Sequence, residues 1–209
     1  MDLPGEDDGA ARSSRPVSKQ DWRRRILAER STVTPPTHAA EAAALAVAAK
    51  TLAASQDTVC AYVPIGSEPG ALDMLDALAE SYARVLLPVT RPESPLSWGE
   101  FTGVENLQRA SLGLREPTGT VLPPAEIAAA SVVLIPALAV DRRGVRLGRG
   151  AGFYDRSLAL AAPQARLIAV VRDTELVDEL PEEAHDRRMG WSLTPSGGLT
   201  ALGREFPAQ

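Results

Sequence analysis

Residues 131–158 read SVVLIPALAVDRRGVRLGRGAGFYDRSL, and the order of residue types along this stretch decides the fold class. Val132 to Ile135 is a run of β-branched and aliphatic residues with no polar face, the pattern of a central strand covered on both sides. Pro136 ends the ladder, and Asp141-Arg142-Arg143-Gly144 supplies turn chemistry. Gly148, Gly150 and Gly152 then alternate with Arg149 and Ala151, just ahead of a helix predicted to begin near Phe153. Glycines placed between a strand and a helix let backbone N–H groups close around an anion, and the helix N-terminus adds its dipole. Arg146 and Arg149 flank the first glycines, and a guanidinium fork matches phosphate oxygens two at a time. The spacing fits neither the dinucleotide G-x-G-x-x-G loop nor the Walker G-x-x-x-x-G-K-[ST] loop. The stretch reads as an anion-binding loop of another kind.

Upstream of it, Ser18 and Asp21 have the spacing of a capping box that opens a helix from Lys19 to about Arg30, with Trp22 and Ile26 facing the core. Lys19 and Arg23 lie one turn apart and repel by about 0.2 to 0.5 kcal/mol unless an anion sits between them. By charge pattern alone that pair reads as a solvated basic face. Thr34-Pro35-Pro36-Thr37 starts a second helix with Leu45, Ala49 and Leu52 on one stripe. Val59 to Val63 is a strand ended by Pro64 and Gly66, and Glu68 follows in a loop before a helix over 71–81. Position alone makes Glu68 an exposed loop acid, although α/β folds place ligand contacts outside the C-terminal ends of their strands. Further strands are predicted over 84–89, 96–101, 166–171 and 191–194, with Trp98 in the core. Helices are predicted over 124–130 and 153–162, and a loose tail over 200–209. This alternation of strands and helices specifies an α/β fold with a largely parallel sheet.

The chain has 209 residues, 44% hydrophobic and 23% charged, with no repeat, which fits one ordinary domain with a sizeable core. A net charge of -5 argues against a nucleic-acid partner, so local arginines serve local anions. The single Cys60 excludes a disulfide framework and reads as a buried strand thiol in a reducing compartment. Residues 1–17 mix Gly, Pro, Ser and acids and read as a disordered tail ahead of a single domain over 18–209. Residues 39–54 are Ala-rich but carry Glu41 and Lys50 and are too short to span a bilayer. The protein is therefore expected to be a cytoplasmic monomer with no membrane partner.

Pro136 to Asp141 and Arg146 to Asp155 resemble, nearly residue for residue, the signature of the 5-formyltetrahydrofolate cyclo-ligase family, also called 5,10-methenyltetrahydrofolate synthetases. Ala137, Val140, Ala151 and Phe153 depart from that signature. Weaker matches follow in the same order: the Lys19 and Arg23 pair, Glu68 after its strand, Leu112 to Pro117, and Leu180-Pro181 with His185-Asp186. Glu175 stands where many members have Gln. The resemblance implies a three-layer α/β/α fold and ATP-driven, magnesium-dependent closure of 5-formyltetrahydrofolate to 5,10-methenyltetrahydrofolate, releasing ADP and phosphate. It implies that Lys19, Arg23 and the loop Arg146, Leu147, Gly148, Arg149, Gly150, Ala151, Gly152, Phe153 and Tyr154 hold ATP. It also implies that Val63, Glu68 and the loop from Arg149 to Phe153 hold the folate. Asp155 and Asp186 are the implied Mg²⁺ ligands, and Arg146 and Tyr154 the groups nearest the chemistry. A carboxylate such as Glu68 suits a pterin, whose exocyclic amine and ring N–H form a paired donor edge. The competing expectation is a relative that binds nucleotide or folate without turning it over.

Overall fold

The computed structural model describes residues 17–203 apart from His185, so most of the expected N-terminal tail and residues 204–209 lie outside the described residues. In chain order the regular elements begin with α1 (Lys19–Ser31), α2 (Pro35–Ala49), β1 (Thr58–Cys60), α3 (Leu72–Ser81), β2 (Arg84–Val89) and β3 (Ser97–Glu100). There follow β4 (Leu107–Arg109), β5 (Arg115–Pro117), β6 (Ala130–Pro136), β7 (Ala139–Asp141) and β8 (Arg146–Leu147). The chain continues with α4 (Phe153–Leu158), β9 (Arg166–Val170), β10 (Leu176–Val177), β11 (Trp191–Thr194) and β12 (Gly198–Ala201). Among the described residues no helix is long and apolar enough to cross a membrane.

The main sheet has seven strands in the order β12-β11-β9-β6-β1-β2-β3. Its five inner strands run parallel, and β3 and β12 close the two edges antiparallel. β6 is at the centre, as its uniformly apolar run predicts. Because side chains alternate across a strand, Val132 and Leu134 pack with Leu45, Ala49, Leu75 and Leu78 of α2 and α3 on one face. Val133 and Ile135 pack with Ile127 of the 3₁₀ helix Pro124–Ala129 and with Leu158 of α4 on the other. These are the three layers of an α/β/α fold.

α1 lies elsewhere. The capping box forms as expected, with the Ser18 side chain accepting from the Asp21 N–H and the Asp21 carboxylate accepting from the Ser18 N–H. Ile26, with Trp22 beside it, packs on Leu138, Ala139, Val145 and Leu147 of a second, three-stranded sheet ordered β10-β7-β8. That small sheet grows from the carboxyl end of β6, and its pairing of β10 with β7 joins residues 36 apart in sequence. α1 thus sits over the carboxyl ends of the parallel strands, the side on which an α/β fold gathers ligand contacts.

Three expected boundaries are corrected. The helix predicted over 153–162 ends at Leu158, because Leu160 and Ala161 already bond back three residues and Pro163 biases Ala162 away from helix. The expected tail from Thr200 instead continues β12, which folds back on β11 through a turn whose Gly198 has φ +60°. β1 ends at Cys60 instead of Val63, and Tyr62 and Val63 continue as buried chain beyond the sheet. Leu52 lies past the end of α2 yet is buried.

Candidate active site

Residues 148–152 connect β8 to α4. Gly150 and Gly152 have φ of +99° and +71°, which an L side chain rarely adopts, so the glycines are required by the backbone path. Arg23 reaches this loop from α1, its Nε donating to the Gly148 carbonyl at 2.9 Å. A Cβ on Gly150 would stand 3.6 Å from the same guanidinium. α4 has only six residues, so its dipole adds less to the loop than a full helix would.

The loop separates two spaces. On one side is a charged groove of about 280 Å³ bordered by Lys19, Arg23, Arg146, Asp155, Glu183 and Asp186. On the other is a largely apolar cavity of about 150 Å³, walled by Tyr62, Val63, Ile65, Leu96, Phe153 and Tyr154 and edged by Glu68 and Arg149. Arg146, Gly148, Gly150, Gly152 and Asp155 border both. A ligand in the groove and a ligand in the cavity would therefore both touch this loop.

Every residue singled out in the sequence borders one space or the other. Lys19, Arg23 and Leu147 belong to the groove alone. Val63, Glu68, Arg149, Ala151, Phe153 and Tyr154 belong to the cavity alone. Arg149, Ala151 and Phe153, expected to touch both ligands, and Tyr154, expected to hold the nucleotide, line the cavity and not the groove. Arg149 Nε donates to Glu68 Oε1 at 3.0 Å, and the second Glu68 oxygen accepts from the Ile65 N–H at 3.1 Å. Glu68 is buried and not the exposed acid that its position implies. Arg146 pairs with Asp155 and stands 5.8 Å over the Tyr154 ring. The Tyr154 hydroxyl is buried without a hydrogen-bond partner, and burial, with Glu68 nearby, pushes its pKa well above the ordinary phenol value.

Two of the groove's three cations are matched by carboxylates, Lys19 by Asp186 and Arg146 by Asp155. Lys19 Nζ donates to both oxygens of Asp186, at 2.7 and 3.0 Å, and lies 3.5 Å from Glu183. Asp186 also accepts from the Glu183 N–H at 2.8 Å. Among the described residues no group of three potential metal-ligating side chains is assembled. Two aspartates on one groove do not suit a self-sufficient cage. They fit Mg²⁺, which takes one or two carboxylates and completes its shell with phosphate and water.

Residues 15–195 match the model of the 5-formyltetrahydrofolate cyclo-ligase family. The chain belongs to this family. A 5-formyltetrahydrofolate cyclo-ligase of Mycolicibacterium smegmatis is 51% identical over 192 residues, covering 90% of this chain and 98% of that protein. One from Escherichia coli is 30% identical over 142 residues, 66% of this chain and 78% of that protein. The solved 5,10-methenyltetrahydrofolate synthetase of Aquifex aeolicus shares the fold with a TM-score of 0.75 at 21% identity, covering 91% of this chain and 95% of that one. The synthetase of Mycoplasma pneumoniae does so with a TM-score of 0.64 at 19% identity, covering 82% and 94%.

Where this cyclo-ligase family member departs from the signature, Ala137 and Val140 are buried in the core, and the other departures lie nearer the surface or the site. Ala151 is exposed at the loop tip, and the Phe153 ring lies 5.5 Å beneath Arg156. Glu175 is buried with Arg30, taking hydrogen bonds of 2.6 and 2.8 Å from Nε and Nη2, and also accepts from the Arg172 N–H at 2.8 Å. The Arg115-Glu116-Pro117 segment acquires a role. Buried Glu116 accepts from the N–H and hydroxyl of Thr90 at 2.7 and 2.6 Å, which ties β5 to the chain leaving β2 beside the cavity.

Proposed function

We propose that this chain carries out the reaction of its family, converting 5-formyltetrahydrofolate and ATP to 5,10-methenyltetrahydrofolate, ADP and phosphate, with the folate in the cavity and the nucleotide phosphates in the groove. The observation that carries this reading is the glycine loop bordering both spaces. An amide oxygen is a poor leaving group, so the reaction needs the formyl oxygen and the γ-phosphoryl group within bonding distance. In this reading the two ligands meet at the edge of the glycine loop, where residues of both spaces coincide and no side chain of Gly148, Gly150 or Gly152 intervenes.

In this reading Lys19, Arg23 and Arg146 hold the phosphates, and loop N–H groups from Leu147 to Gly152 close on them. Glu68 accepts the donor edge of the pterin, with Val63 and Phe153 as apolar walls. Bound Mg²⁺, held by Asp155 and Asp186, supplies charge neutralisation at the phosphoryl oxygens. The groove carries three cations and three carboxylates. Phosphates would take Lys19 and Arg146 from Asp186 and Asp155, which would leave those two carboxylates for the metal. The formyl oxygen attacks the γ-phosphorus and ADP leaves; nitrogen 10 then attacks the formyl carbon, and phosphate departs as the ring closes. Arg146 and Arg149 stand where negative charge moves, and positioned charge supplies most of the catalysis in phosphoryl transfer. Tyr154, protonated throughout, orients the folate.

Incubation with 5-formyltetrahydrofolate and Mg-ATP, followed by near-ultraviolet absorbance of the methenyl product, tests the assignment. The expected result is ATP-dependent product; no signal above an enzyme-free control overturns it.

A further inference from the structure

Among the described residues, four buried side-chain polar atoms have no hydrogen-bond partner, and two of these belong to residues lining the cavity: the Tyr154 hydroxyl and Nη1 of Arg30. Arg30 is the less expected of the two. It lies in the last turn of α1, seven residues beyond Arg23, and its side chain is 1% exposed. One edge of its guanidinium is fully engaged, Nε and Nη2 binding the Glu175 carboxylate and Nη2 also the Ala137 carbonyl at 2.7 Å. Nη1 is the nitrogen left over. Pro136, Ala137 and Leu138, the chain leaving β6, line the cavity beside it.

An unpaired donor on a buried cation is costly in the empty protein and is relieved by any ligand that brings an acceptor. The chemistry around it narrows the acceptor. Glu175 already balances the charge of Arg30, so a carboxylate or phosphate would arrive as an excess buried anion, whereas a neutral carbonyl would not. Glu68 and Arg30 both line the cavity, which places an acceptor and a donor around one space. A pterin has the matching edge: the exocyclic amine and ring N–H that Glu68 would accept continue directly into the ring carbonyl.

We propose that Arg30 is a specificity residue of the cavity, its Nη1 donating to the carbonyl of the pterin ring while Glu68 accepts from the adjoining N–H groups. This rests on the reading of the cavity as the folate site. Arg30 and Glu68 together read an acceptor and a paired donor set along one edge, a pattern that hydrophobic walls cannot distinguish.

The test is equilibrium binding of 5-formyltetrahydrofolate and of its 4-thioxo counterpart, in which sulfur, a poor acceptor, replaces the carbonyl oxygen and the ring N–H is kept. Wild type should prefer the oxo ligand by about tenfold, the low end for a hydrogen bond to a charged group. Arg30→Met alone strands a buried carboxylate, so the informative variant is Arg30→Met with Glu175→Gln. It removes both charges and leaves an amide oxygen to accept from the Arg172 N–H. This variant should bind the oxo ligand about tenfold more weakly and show no preference between the two. Equal binding of both ligands by wild type overturns the inference with no variant needed. A preference that survives in the folded double variant also overturns it, because Arg30 would then only support the cavity. Binding of neither ligand by wild type instead overturns the folate reading of the cavity, and this inference with it.

Discussion

Lys19 and Asp186, 167 residues apart, are joined at 2.7 Å at the mouth of the charged groove. One residue stands in the first turn of α1, and the other in the loop between β10 and β11. The pair is largely enclosed, with side chains 15% and 11% exposed, so each charge is held where a ligand would need it. Phosphate and metal would divide this pair between them.

Lys19→Ala removes a charge-assisted contact to phosphate, worth about 1.5 to 3 kcal/mol. The Michaelis constant for ATP should rise about tenfold or more, and that for folate much less. Steady-state titration of each substrate checks this, and a change confined to the folate constant would take α1 out of the nucleotide site.

Glu68→Gln should do the reverse. The amide offers one acceptor and one donor where the pterin presents two donors, and it releases Arg149 from its 3.0 Å contact. Folate affinity measured by titration should fall by about tenfold or more while the ATP constant holds. Unchanged folate affinity would remove Glu68 from the site.

For the metal, Asp155→Asn and Asp186→Asn should each raise the Mg²⁺ concentration for half-maximal rate. Asp155→Asn should leave the ligand-free thermal midpoint nearly unchanged, because its carboxylate is more than a third exposed, whereas Asp186→Asn, in the more enclosed pair with Lys19, should lower it. Activity as a function of added Mg²⁺, beside a melting curve, separates a ligand from a structural acid. A magnesium titration of Asp155→Asn superimposable on wild type would exclude it as a ligand.

Acid sensitivity has a defined source in Asp173. Burial pushes its carboxyl up, but hydrogen bonds from the Thr194 hydroxyl and from Ser196 and Gly197 at the β11–β12 turn outweigh that and leave it below 3.8. A lowered folded-state value means the stabilisation is fully present above the unfolded value and disappears as pH falls through the folded one. Asp173→Asn should therefore melt earlier than wild type at neutral pH, and the two midpoints should converge in strong acid. A gap independent of pH would assign the turn's stability elsewhere.

β2, β6 and β9 could be read from the chain because each carries a run of apolar residues long enough to state its own burial. The small sheet could not. β8 and β10 have two residues each, and their existence depends on partners brought from elsewhere in the fold. The same limit applies inside the site. Glycine spacing and the Arg146 to Asp155 motif are local patterns, so the loop was readable. Arg30 shares α1 with Arg23, Arg24 and Arg25, and although it lies one turn beyond Ile26 on the inward face, nothing local supplies the partner that a buried guanidinium needs. Only Glu175, 145 residues away, makes it a buried residue of the cavity. Arg149 shows the converse, since a basic residue among phosphate-binding glycines gives no sign that it turns toward Glu68 on the other side.

The central claim is that the groove and the cavity bring the γ-phosphoryl group onto the formyl oxygen beside the glycine loop. The most direct measurement uses 5-formyltetrahydrofolate labelled with ¹⁸O in the formyl group, followed by mass analysis of the phosphate released in a single turnover with Mg-ATP. Direct transfer predicts one ¹⁸O in each phosphate, carried over when the C–O bond breaks at ring closure. Unlabelled phosphate, with the ¹⁸O recovered in water, would contradict it.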